Sequence, residues 1–133
     1  MLKKLAALFL ASALATFAAE VARIAPADAA KLLAGGHAVL VDVREVSEWL
    51  DTGVAAPAVL LPKSDFDAEQ FEWKPFLEKT PKSTTLVLYC RTGKRAGLIG
   101  AALADKGYKV VNAGGFKEWT DAGLPTRQLE SRH

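Results

Sequence analysis

The chain carries one cysteine, Cys90, which closes the apolar run TTLVLY and is followed at once by Arg91, Thr92, Gly93, Lys94 and Arg95. A loop leading from the carboxyl end of a strand into the amino end of a helix turns its backbone N–H groups toward a common centre. Gly93 supplies the permissive backbone that so tight a curl demands, and Arg91, Lys94 and Arg95 make the loop electropositive. A free thiol has a pKa of about 8.5, lowered to roughly 3.5–7.5 by helix amino termini and nearby cations. Cys90 is therefore expected to be an exposed, largely ionised nucleophile at neutral pH. The same donors are expected to hold an anionic substrate or the added charge of a modified cysteine. A free cysteine also packs well as a small apolar side chain, but the Arg-Thr-Gly-Lys-Arg run is unsuited to a core.

Other residues offer less. A single cysteine excludes an intrachain disulfide and a multi-cysteine metal site, and two histidines, His37 and His133, leave no material for a His-based metal site or a Ser-His triad. No cofactor and no metal are expected. Asp42 and Arg44 fall at the carboxyl end of an apolar run, on the side where α/β sheets place their sites. Arg44 either lends positive potential to a bound anion or joins Asp42 and Glu48 in an ion-pair network that fixes loops. Trp49 and Trp119 are expected to pack, and Gly114-Gly115 to turn the chain after the last strand.

These residues need a frame, and the apolar pattern describes one. Runs at 38–43, 59–61 and 84–89 are short and nearly continuously apolar, as strands buried on both faces should be. Residues 109–111 make a fourth candidate and 21–24 a weak fifth. Helical patterns lie between them: 27–34 after Pro26, 45–51 before Gly53, 95–106 before Gly107, and 116–121 before Gly123. The stretch 64–82 is less regular. Pro75 interrupts any long helix there, leaving two short helical pieces or a helix and an ordered loop. Its Phe66, Phe71, Trp73, Phe76 and Leu77 are expected either in the core or as a wall of the active-site mouth. Strands alternating with helices imply an open α/β fold of parallel strands joined by right-handed crossovers.

Residues 1–19 stand apart. Lys3 and Lys4 precede an uncharged run, 5–19, that is too short for a membrane span of about 20 residues. A basic start, an apolar run and small residues near its end are the parts of a secretory signal. Cleavage is expected after Ala15 or Ala18 or close by, leaving residues 20–133 as one domain, with the periplasm as destination. The whole chain holds 17 basic and 15 acidic residues. Loss of Lys3 and Lys4 makes the mature domain neutral, with no broad basic field for nucleic acid or an anionic membrane surface. No nucleic-acid partner and no stable membrane association after cleavage are expected.

VLVDVREVSEW (39–49), the region 57–62, YCRTGKRA (89–96) and NAGGFKEWTDAGLP (112–125) together resemble the rhodanese-like sulfurtransferases in their single-domain form. The resemblance implies a mostly parallel sheet of about five strands with helices on both faces and Cys90 at the base of a shallow pocket. It implies that Cys90 takes sulfane sulfur from a small donor such as thiosulfate, becomes a persulfide, and passes the sulfur to a thiol or to cyanide, a protein acceptor being compatible with the same step. Arg91, Thr92, Gly93, Lys94 and Arg95 would then form the substrate-binding cradle, with Arg44 beside it. A persulfide carrier or partner-binding module with little small-molecule turnover is the other activity the resemblance allows. Phosphatase-type relatives resemble C-x5-R, whereas Cys90 to Arg95 is C-x4-R, the tighter ring of the sulfurtransferases. One departure stands out: the family's His-Ile-Pro-Gly-Ala segment is here Val54-Ala55-Ala56-Pro57-Ala58, which implies altered geometry on that side.

Overall fold

The computed structural model describes residues 20–130. The export signal expected in residues 1–19 lies outside the described residues. Five parallel strands form the main sheet in the order β1-β6-β5-β2-β4: β1 Ala22–Arg23, β2 Ala38–Asp42, β4 Val59–Leu60, β5 Thr85–Cys90 and β6 Lys109–Gly115. Each strand candidate read from the apolar runs is present. β2 and β5 sit centrally because every side chain from Leu40 to Asp42 and from Leu86 to Cys90 is buried. Such strands must be covered on both faces.

Six helices among the described residues provide the cover: α1 Pro26–Ala34, α2 Val46–Thr52, α3 Lys63–Asp67, α4 Trp73–Lys79, α5 Lys94–Asp105 and α6 Phe116–Asp121. Strand side chains alternate between two cores. Val41, Val43, Leu86, Leu88 and Cys90 pack with Trp73 and with Ala96, Ile99 and Leu103 of α5. On the opposite face, Leu40, Val87, Tyr89 and Ala113 pack with Ala29 of α1 and Trp119 of α6. The irregular stretch resolves into α3 and α4, and of its aromatics Phe66, Trp73 and Phe76 belong to the core. Phe66 and Phe76 stand edge-on to Trp73 at 5.1 and 6.1 Å, while Phe71 alone of that set is exposed.

Three features differ from the sequence expectation. β6 does not stop at Val111 but runs on to Gly115, so Gly114-Gly115 end the strand rather than follow it. A second, two-stranded antiparallel sheet joins β3 Val54–Ala55 to β7 Thr126–Arg127. Residues 54–58, where the sequence departs from the family's motif, are also held by side chains: Ala55 N–H donates to the Tyr89 hydroxyl at 2.9 Å, and the Arg127 guanidinium donates to the carbonyls of Ala56 and Ala58. Finally, Glu48 does not join Asp42 and Arg44; it crosses to α5.

Candidate active site

β5 delivers Cys90 to the carboxyl edge of the sheet, and the chain then curls through Arg91, Thr92 and Gly93 into α5. Gly93, at φ +101°, is the N-cap. Its N–H donates to Cys90 Sγ at 3.0 Å. The left-handed backbone that aims this N–H inward is strained for any residue with a Cβ. A Cβ at Gly93 would also lie 1.9 Å from Arg23 Nη1. The same residue's carbonyl accepts the first helical bond from Gly97 N–H and a second from Asn112 Nδ2 at 2.8 Å.

Cys90 itself is 1% exposed. The expectation of an exposed thiol is therefore corrected. Strand alternation places Cys90 on the face of Leu86 and Leu88, beneath α5, so its environment is a core on one side and the Gly93 N–H on the other.

The loop cations divide. Arg91 and Lys94 are exposed and engage no carboxylate among the described residues. Arg95 instead grips Glu48 through both terminal nitrogens, at 2.7 and 2.9 Å. That hydrogen-bonded pairing raises the Arg95 pKa, with the charge of Cys90 among the smaller contributors. Glu48 is lowered to about 2, first by its bond to Arg95 and against the opposing effect of burial. Glu48 also accepts the Glu45 N–H at 3.1 Å at the start of α2, so one carboxylate ties α2 to the cysteine loop. Its folded pKa lies below the ordinary value of 4.5, so the stabilisation is present above that value and is lost as pH falls toward 2. Because about a quarter of each side chain is exposed, the contribution is expected to be about 1 kcal/mol after screening. Thermal melts from pH 5 to pH 2.5 should fall more steeply for the wild type than for Glu48→Gln. Equal slopes would exclude the linkage.

Arg44 lies at the floor of the site, 2% exposed. Asp42 accepts from its Nε and Nη2 and from its backbone N–H at 2.9–3.1 Å. Its remaining bonds go to Thr52 Oγ1 at 2.9 Å and the Gly53 carbonyl at 2.8 Å, and its guanidinium lies 4.5 Å from the Phe116 ring centre. It is thus a strut between β2, α2 and α6 whose outer edge reaches the cavity. Behind it Tyr89 is buried, and burial with the Asp42 charge pushes its hydroxyl far above the ordinary value.

Beside the loop opens a cavity of about 450 Å³ lined by Arg44, Glu48, Asp51, Thr52, Arg91, Thr92, Phe116 and Lys117. Of the residues expected at the site from sequence, Arg91, Thr92 and Arg44 meet this cavity, whereas Cys90, expected at the base of a pocket, is not among its lining. Gly93 and Arg95 serve the loop from within, and Lys94 lies outside the lining. Asp51, Thr52, Phe116 and Lys117 carried no sequence signal of their own, since α2 and α6 reach the mouth only through the packing of the sheet.

A parallel sheet that carries a thiol under the first turn of a helix defines an α/β domain built around a cysteine loop. The family model for the rhodanese-like domain matches residues 25–122, and the chain belongs to that family. Among solved structures it is similar to the polysulfide-sulfur transferase homodimer of Wolinella succinogenes, with 27% identity over 85% of this chain and 82% of that one, TM-score 0.65. It shares its fold with a rhodanese-related protein of Thermoplasma volcanium, at 23% identity over 81% and 99% of the two chains, TM-score 0.66. It also shares its fold with a protein from Rhodopseudomonas palustris described as a possible tyrosine phosphatase, at 24% identity over 80% and 85%, TM-score 0.64. No curated protein matches the chain.

Proposed function

We propose that this protein is an exported sulfurtransferase that carries sulfane sulfur on Cys90. The observation that carries the reading is the Gly93 N–H held 3.0 Å from Cys90 Sγ, in a loop whose shape is fixed before any substrate arrives. A donor placed there meets negative charge with donors already aimed. The Cys90 thiolate attacks the outer sulfur of thiosulfate; the new S–S bond forms as the bond to the sulfonate sulfur breaks, and sulfite leaves with the electron pair. The persulfide then yields its terminal sulfur to a thiolate or to cyanide, and the Cys90 thiolate returns. Charge balances in both steps without a redox partner. Arg91 is placed at the mouth to draw the dianion in, and Arg95 acts through Glu48 to hold the loop. Membership of the rhodanese-like family and likeness to a polysulfide-sulfur transferase support this class of reaction. Export to the periplasm is supported by the basic start and apolar run of residues 1–19.

Incubation of residues 20–133 with thiosulfate, followed by intact mass, should show addition of one sulfur on the peptide that holds Cys90. Added cyanide should then release thiocyanate over many turnovers. Uptake without turnover would instead favour a persulfide carrier, a reading that the burial of Cys90 makes specific. No sulfur uptake from thiosulfate or polysulfide would overturn both. Amino-terminal sequencing of the protein from a periplasmic extract tests export: a start near residue 16 or 19 is expected, and a start at Met1 would refute it.

A further inference from the structure

The Gly93 N–H is aimed at sulfur, and two side chains outside the cysteine loop hold the peptide planes on either side of that residue. Arg23 and Asn112 are register partners on the adjacent parallel strands β1 and β6, so both project to the same face of the sheet. Asn112 alternates with Val110, which packs in the core beneath α5, and so shares the face of Cys90. Arg23 Nη1 donates to the Thr92 carbonyl at 3.3 Å. Asn112 Nδ2 donates to the Gly93 carbonyl at 2.8 Å. In a trans peptide the C=O and the N–H point in opposite directions. Holding the Thr92 carbonyl outward therefore turns the Gly93 N–H inward, and a cation on that carbonyl polarises the unit so that its N–H end is the better donor.

Both clamping groups are themselves held. Arg23 Nη2 meets Glu118 Oε1 at 3.5 Å, and the same oxygen accepts the Gly115 N–H at 2.9 Å. Asn112 Oδ1 accepts the Gly114 N–H at 2.9 Å, and the side chain is buried. The two-residue edge strand β1 thus has a purpose in the fold: it brings one guanidinium over the outer side of the loop, into the space that a side chain at position 93 would fill.

We propose that Arg23 and Asn112 are positioning residues that clamp the two peptide units flanking Gly93 and so hold its N–H on the Cys90 sulfur. The role in turnover rests on the sulfurtransferase reading, whereas the clamp itself is a property of the loop. Arg23 is the residue to test, since its side chain is half exposed and its removal leaves no cavity. Arg23→Ala is expected to shift the Gly93 amide proton upfield in a 1H–15N spectrum, to slow alkylation of Cys90 by iodoacetamide at pH 7, and to leave the melting temperature within a few degrees of the wild type. In the thiosulfate–cyanide assay kcat should fall about tenfold, the equivalent of one hydrogen bond to a charged group, with KM for thiosulfate unchanged. Arg23→Lys, which keeps a cation near the Thr92 carbonyl, should recover part of the loss.

An unmoved Gly93 proton with wild-type alkylation would overturn the clamp. So would a kcat loss that Arg23→Lys does not relieve and that tracks a fall in melting temperature, since that is a stability effect alone. If the wild type takes up no sulfur but Arg23→Ala still shifts the Gly93 proton and slows alkylation, the clamp stands and the sulfurtransferase reading fails.

Discussion

Gly115→Ala is expected to lower the rate of sulfur uptake at Cys90 at least a hundredfold while removing no polar group and no charge. Gly115 is the register partner of Cys90 across β5 and β6, where the pairing is shifted after Leu88. A Cβ there would lie 2.1 Å from the Arg91 carbonyl oxygen and 2.9 Å from the carbonyl carbon. Those are backbone atoms of the first loop residue, so nothing flexible can yield. The loop must move off β6, and the Gly93 N–H moves with it. Displacement of a reacting geometry by about 1 Å costs on the order of 100-fold. Gly115 has φ −113°, so the effect is contact and not backbone strain. Gly123→Ala separates the two. Gly123 has φ +74° with nothing within 4 Å of its Cβ position, so alanine costs about 1–2 kcal/mol of backbone strain and leaves the sulfur-uptake rate alone. A Gly115→Ala protein that takes up sulfur like the wild type would show that the close packing of loop on strand is not what shapes the site.

The pair of glycines shows what kind of information a sequence carries and what kind it hides. Continuous apolar runs marked β2, β4 and β5, because burial on both faces leaves no choice of residue. The run marking β6 ended at Val111, since Asn-Ala-Gly-Gly has poor strand propensity; pairing with β5 and burial carry the strand four residues further. β3 and β7 are two residues each, pairing Val54 with Arg127 and Ala55 with Thr126 from distant parts of the chain, so no local pattern announces them. Cys90 is legible as the candidate nucleophile from strand, cations, glycine and helix in immediate succession, and the structure puts it at the end of β5 with the Gly93 N–H on its sulfur. Its burial was not anticipated, although the alternation of Leu86, Leu88 and Cys90 contains it. Arg91 and Lys94 are exposed and Arg95 goes to Glu48, whereas the sulfur joins the core cluster of Leu86, Leu88 and Ile99. Arg23 and Glu48 act on the loop from distant segments, and only the sheet order brings them there.

Asp42→Ala is expected to destabilise the protein by about 3–5 kcal/mol, the penalty for stripping the partner from a buried charge. Asp42 is fully buried and takes three of the donors of Arg44, whose own side chain is 3% exposed. Without it the guanidinium keeps its bonds to Thr52 and Gly53 at the end of α2 but loses its counter-charge at a place where little of the side chain meets solvent. Removing both partners is a different matter. Asp42→Leu with Arg44→Met leaves no unpaired charge, and apolar replacement of a buried ion pair is often neutral. The double variant should recover most of the loss in urea midpoint. Every strong bond of Arg44 goes to Asp42, Thr52 or Gly53, so its task is to brace α2 against β2 and to support the Phe116 ring from behind. The double variant should accordingly keep KM for thiosulfate within about threefold of the wild type, a shift of less than one neutral hydrogen bond. A double variant as stable as the wild type but with KM raised more than tenfold would mean that the edge of Arg44 facing the cavity binds the donor directly.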